Sequence, residues 1–174
     1  MKETKPSSNS IALAGEFATL SQLALHGYDA NLTLGNTKNV DILVSDPNSG
    51  RMYKLEVKTS GYLTAKGTAA RRSRLFGHTF SWVMSKKHET ILDPSLFYCF
   101  VNLAKTNGTS FRFFVVPSRV VAHYVKAQHQ LWLEDDQTHK DTPMRIFRLA
   151  LSKDGYPLST PSADRYENNW SLSH

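Results

Sequence analysis

Asp41 and the run Glu56-Val57-Lys58 have types and spacing that admit chemistry. Between them lies Asp46-Pro47-Asn48-Ser49-Gly50, a turn cluster between two strand-forming runs, which predicts a β-hairpin. A turn centred on Asn48-Ser49 sets Asp41 opposite Glu56. Side chains opposed in this way lie ~4.5–5.5 Å apart at Cβ. Carboxylates that close repel each other unless positive charge sits between them. Mg²⁺ suits such a place, because it is commonly held by one or two carboxylates together with water and phosphate. Lys58 follows Glu56 by two positions and so projects from the same strand face. There its ammonium could steady an attacking hydroxide or the charge growing on a phosphoryl oxygen. Val57 points the other way, into the core, and offers its backbone carbonyl as a further metal ligand.

The first helix adds an acid. Ser10 is its expected cap and Gly27 its stop, with Leu13, Phe17, Leu20 and Ala24 at helical spacing as the buried stripe. Glu16 falls within that apolar arc, where a charge is costly unless paired or bound to metal. The helix precedes the hairpin and could aim Glu16 at the same site. Singly, each residue has a plainer reading. Asp41 could sit on a solvated hairpin face, and Glu56 and Lys58 could be ordinary surface charges beside Lys54. The combination favours a site.

The elements that must position these residues follow from pattern. Asp29 to Leu34, Val40 to Val44 and Met52 to Lys58 read as strands, the last with Tyr53, Leu55 and Val57 on one face. Residues 59–79 are broken by Gly61, Gly67 and Gly77 and read as an irregular crossover. Thr79 to Met84 is a short strand, with a helical turn expected around His88. Phe97 to Leu103, Phe111 to Val116 and Met144 to Leu151 are further strands. A helix opens at Pro117-Ser118 and carries Val121, Tyr124, Val125 and Trp132. Trp170 is expected to dock on the body. The fold class is α/β, a mixed sheet flanked by helices, with an extra C-terminal helix and strand.

The chain has 174 residues, 40% of them hydrophobic and 21% charged, which describes one folded domain and excludes a disordered chain. Residues 1–9 read as a mobile tail and 10–174 as the domain. No apolar run approaches the ~20 residues of a bilayer span, and the first ten residues lack a secretory apolar segment. The expectation is therefore a cytoplasmic protein with no membrane partner. A single cysteine, Cys99, excludes an intramolecular disulfide and any Cys-cluster zinc site and reads as core. The seven histidines form no HxxxH or HExxH pair. His88 reads as a surface or helix-end residue.

The net charge of +6 is uneven: residues 57–88 hold seven Lys and Arg and no acid. These are Lys58, Lys66, Arg71, Arg72, Arg74, Lys86 and Lys87. Such a cluster raises the potential toward polyanions and suits a phosphate backbone. Arg71, Arg72 and Arg74 could grip phosphates, with Lys66, Lys86, Lys87, His78 and Ser60 as further contacts. Phe76 or Trp82 could meet a base or sugar, although core packing suits Trp82 better.

Taken together, Gly15-Glu16, LALHGYDANL, VDILV and LEVKTSG resemble the PD-(D/E)XK nuclease superfamily, the restriction-endonuclease-like fold. Val40 stands where the family name has proline. The resemblance covers about the first third of the chain and implies an αβββαβ core. It also implies that Glu16, Asp41 and Glu56 hold Mg²⁺, for which Mn²⁺ could substitute, and that Lys58 positions or activates the attacking water. The implied activity is endonucleolytic hydrolysis of phosphodiesters leaving a 5′-phosphate. DNA is the first expectation, RNA the other substrate the chemistry admits, and a homodimer the form suited to cutting both strands. A non-catalytic nucleic-acid-binding module of the same fold is the alternative.

Overall fold

A computed structural model describes residues 6–33, 39–62, 71–105, 109–151 and 158–172. The chain opens with helix α1, Ser8–Leu25. Three strands follow, β1 (Asp29–Leu32), β2 (Ile42–Ser45) and β3 (Met52–Tyr62). Then come β4 (Arg71–Ser73), β5 (Gly77–Ser85) and a 3-10 helix, Lys86–Thr90. Strands β6 (Leu96–Lys105) and β7 (Thr109–Pro117) lead into helix α2 (Ser118–Asp135). Strand β8 (Met144–Ala150) and a single helical turn, α3 (Ala163–Tyr166), complete it.

The strands form two sheets, a five-stranded one in the order β1-β2-β3-β6-β7 and a three-stranded one in the order β4-β5-β8. The larger sheet is mixed, because β3 and β6 run parallel while its other pairs are antiparallel. Strand β6 is buried on both faces, which explains its continuous apolar run. Its Leu96, Tyr98 and Phe100 enter one core with β5, β8 and α2. Its Phe97, Cys99 and Val101 enter another with β2, β3 and Leu23 of α1. The molecule is thus layered: α1, the large sheet, then α2 and the small sheet. Trp170 is buried in the second of these cores, as expected of a docking residue.

The mixed sheet flanked by helices is the expected architecture, and three details differ. First, the connection from β3 to β6 is not helical among the described residues. It contributes β4 and β5 to the small sheet and then makes only the short 3-10 turn. Second, α1 is capped by Ser7, whose hydroxyl accepts from the Ser10 N–H at 3.1 Å, so Ser8 and Asn9 are helical and not tail. Third, α1 does not bury the Leu13–Phe17 stripe. Leu13 and Phe17 are 48% and 54% exposed, and the packed face is Gly15, Thr19 and Leu23. A Cβ built on Gly15 would stand 1.9 Å from Thr59 Oγ1 on β3. Small residues bring the helix backbone against the strand, and that contact, rather than hydropathy, selects the face.

Candidate functional site

The hairpin carries the geometry. In its turn, Asp46 Oδ1 accepts from the Asn48 N–H at 2.9 Å and Asp46 Oδ2 from the Ser49 hydroxyl at 2.6 Å. Gly50 closes it at φ +67°, a left-handed conformation that disfavours other residues. This turn pairs Ile42 with Leu55 and Val44 with Tyr53, and the paired register ends one residue short of Asp41. The ladder does not continue to Asp41: its N–H donates at 2.8 Å to the O of Leu55, the residue already paired with Ile42, as at a β-bulge. Its carboxylate then folds over, and Oδ2 accepts from the Val57 N–H at 2.6 Å.

Glu56 is 3% exposed, so it is no surface charge. Its Oε1 accepts from the Lys58 ammonium at 2.6 Å and faces Nε2 of His88 at 3.3 Å. Its Oε2 is buried without a hydrogen-bond partner. Burial alone would push the carboxyl up, but His88 and Lys58 outweigh it and hold the group near 2, against an ordinary value of 4.5. Asp41 shifts the other way. Burial raises it, the Val57 N–H and Lys58 oppose, and the charge of Glu56 adds to the rise. Glu16 is likewise raised, first by burial and then by the charge of Asp41, with Lys58 opposing. The helix acid therefore senses Asp41, and Lys58 is the cation that all three share.

His88 escaped the sequence reading, which left it at the surface. It is buried, and its ring edge meets Tyr98 at 5.8 Å between centroids. Its Nδ1 lies 3.0 Å from the Ser85 N–H and 2.9 Å from the Ser85 carbonyl oxygen, and its Nε2–H donates to the Glu56 carboxylate, which can only accept. The signal for it was weak: a Ser-x-x-His spacing in a basic stretch, with its partner 32 positions upstream.

Among the described side chains of the basic segment, Arg74, Lys86 and Lys87 have protein partners. Arg74 is paired with Asp135 at 2.5 Å and Lys86 with Asp141 at 3.1 Å. Lys87 donates to the Asn39 side chain at 2.5 Å. Acids of α2 and the following loop thus cover two of the cations. Lys66 lies outside the described residues. Arg71 and Arg72 lie on β4, where Arg72 pairs with His78 of β5. Ser60 lines a groove of about 360 Å³ with Lys58, Thr59, Ser81, Val83 and Ile146. Phe76 and Trp82 are both buried in the body of the protein, with Trp82 bordering that groove.

The donor set suits a hard cation. It consists of carboxylate oxygens, one of them on Glu56 buried and unpartnered, with Glu56 raising the proton affinity of Asp41 and Asp41 that of Glu16. Among the described residues no three His, Cys, Asp or Glu side chains gather closely enough to cage a metal alone. A cation here would therefore complete its shell with water and phosphate, as Mg²⁺ commonly does. Among the described residues, too, no helix is long and apolar enough to cross a membrane.

No family model matches the chain, and no curated protein matches it. Among solved structures it is similar to the bacterial homing endonuclease I-Ssp6803I, at 13% identity and a TM-score of 0.52. The match covers 96% of this chain and 93% of that one. At that identity the likeness concerns the fold: this chain is laid out, nearly end to end, like a homing endonuclease.

Proposed function

We propose that the chain is a Mg²⁺-dependent endonuclease that hydrolyses phosphodiester bonds in DNA. One observation carries the reading: Asp41, just before β2, accepts a hydrogen bond from the Val57 N–H, and Val57 stands between Glu56 and the Lys58 that is paired with it. The fold shared with a homing endonuclease agrees with it.

In this account Asp41 and Glu56 hold the cation, with Glu16 supporting them and the Val57 carbonyl as a further donor. The bound cation supplies Lewis-acid polarisation of the phosphoryl group and stabilises the departing oxygen. Lys58 orients the attacking water and lowers the cost of negative charge on the phosphoryl oxygens. His88 donates to Oε1 of Glu56, which leaves the unpartnered Oε2 for the cation. Val57 contributes its N–H, which anchors Asp41 in the orientation the site needs. Cutting both strands of a duplex calls for two such sites, so a homodimer is the proposed working form. RNA is the other polymer that this chemistry would accept.

Supercoiled plasmid tests the reading. Wild-type protein is expected to nick and linearise it in Mg²⁺ or Mn²⁺ and to leave it intact in EDTA. Lys58→Ala should cut on the order of 10²–10³ times more slowly while binding the same DNA. A wild-type protein that binds DNA and cuts under neither metal would instead be a nucleic-acid-binding module of this fold.

A further inference from the structure

Arg145 is a charge in a core position, and the chemistry above gives it no task. Along β8 the buried side chains are Arg145, Phe147 and Leu149, and the last two belong to the core shared with α2. Arg145 itself is 3% exposed. Burying a guanidinium is costly, and an apolar side chain of similar volume in its place is often neutral or stabilising. Stability alone therefore does not account for it. Its Nε donates to Oε1 of Glu89, Nη1 to the carbonyl oxygens of Thr142 and Met144 at 2.5 and 2.9 Å, and Nη2 to Oδ1 of Asp141 at 3.3 Å. The planar fork is thus held on several sides, and it holds Glu89 in turn.

Glu89 follows His88 in the 3-10 turn Lys86–Thr90. The same stretch of chain fastens the start of that turn. The Lys86 N–H donates to the Pro143 carbonyl oxygen at 2.8 Å, and its ammonium to Oδ2 of Asp141 at 3.1 Å. His129 of α2 donates to Oδ1 of the same Asp141 at 2.9 Å. His88 therefore stands between two anchors, Lys86 and Glu89, both tied to residues 141–145. Its reach has little slack. Nε2 meets Glu56 at 3.3 Å, the long end of a hydrogen bond, so a small rotation of the turn would break the contact.

We propose that Arg145 is a positioning residue: through Glu89 it holds the 3-10 turn at the setting from which His88 donates to Oε1 of Glu56. That this setting serves a cation at Oε2 rests on the nuclease reading; the clamp itself does not.

The test reads the contact directly, in EDTA at pH 7 and without DNA. In protein carrying ¹⁵N-histidine, the Nε2–H of His88 is expected as a slowly exchanging imidazole signal that His88→Gln removes. Arg145→Met and Glu89→Leu are expected to speed its exchange with water roughly tenfold or more. Glu89→Gln, which keeps an acceptor for the guanidinium, should retain the wild-type exchange. Leu149→Val, a core change in the same strand, should lower the urea midpoint and leave the signal as it is. An unchanged signal in both Arg145→Met and Glu89→Leu overturns the proposal. So does an equal loss in Leu149→Val, which would make the signal a gauge of stability, and so does its absence from wild type. Plasmid cutting in Mg²⁺ is scored separately, with Arg145→Met expected to cut roughly ten to a hundred times more slowly at unchanged duplex affinity. An Arg145-dependent signal in a wild type that never cuts removes only the nuclease. Cutting beside a signal indifferent to Arg145 removes only the clamp.

Discussion

Glu56 concentrates the physical conflict of the site, as a carboxylate buried in the sheet and held ionised by one ammonium and one imidazole. Its depressed pKa makes it a source of stability. That contribution is complete above the unfolded value of 4.5 and is lost as pH falls toward about 2. Urea midpoints measured from pH 6 down to pH 3 should therefore fall for wild type, with a shallower slope for Glu56→Gln. His88→Ala removes a donor from a buried charge and is expected to cost ~1–3 kcal/mol by the same measurement. Asp41 has the opposite sign. Its raised pKa means that folding disfavours the charge at neutral pH. Asp41→Asn, which keeps an acceptor for the Val57 N–H, should raise the urea midpoint in EDTA at pH 7 and abolish cutting. The hairpin was legible because a period of two and a tight turn fix its register from Ile42 to Ser45, but the break in pairing at Asp41 was not. His88 was not, because its role depends on how a 3-10 turn after β5 returns to β3, a long-range packing fact with no local pattern.

Helix α1 shows how a local rule can lose to a tertiary contact. Leu13 and Phe17 have the spacing of a core stripe, yet the face that packs is the one whose small residues let the backbone approach β3. Gly15→Ala would drive a methyl into Thr59 and lift the helix that carries Glu16. A loss of ~1–3 kcal/mol is expected from urea unfolding, with slower plasmid cutting. Adding Thr59→Ala should recover part of both, since it removes the nearest atom. Boundaries of β6, β7, α2 and β8 were legible within a few residues, because their apolar runs and turn residues agree. The crossover was not. Strand β5 finds its second partner in β8, about sixty positions further along the chain, so its sequence alone gives no sign of a second sheet.

At the scale of the whole molecule, folding pairs two cations of the basic block with acids from elsewhere in the chain. The seven cations of residues 57–88 stand in a block with no acid, but folding lays Asp135 and Asp141 against Arg74 and Lys86. These exposed pairs contribute little to stability. Their larger effect is on the field that a polyanion meets. Asp135→Asn should leave the urea midpoint within ~0.5 kcal/mol of wild type. It should tighten non-specific duplex binding and steepen the salt dependence by about one counterion. The central claim is that Asp41 and Glu56 together hold a divalent cation beside Lys58. Anomalous scattering from a crystal soaked in Mn²⁺ at neutral pH tests it most directly. A peak within coordinating distance of both carboxylates, missing in Asp41→Asn, is the expected result. A clean absence of density, with both side chains ordered and facing each other, would contradict the account.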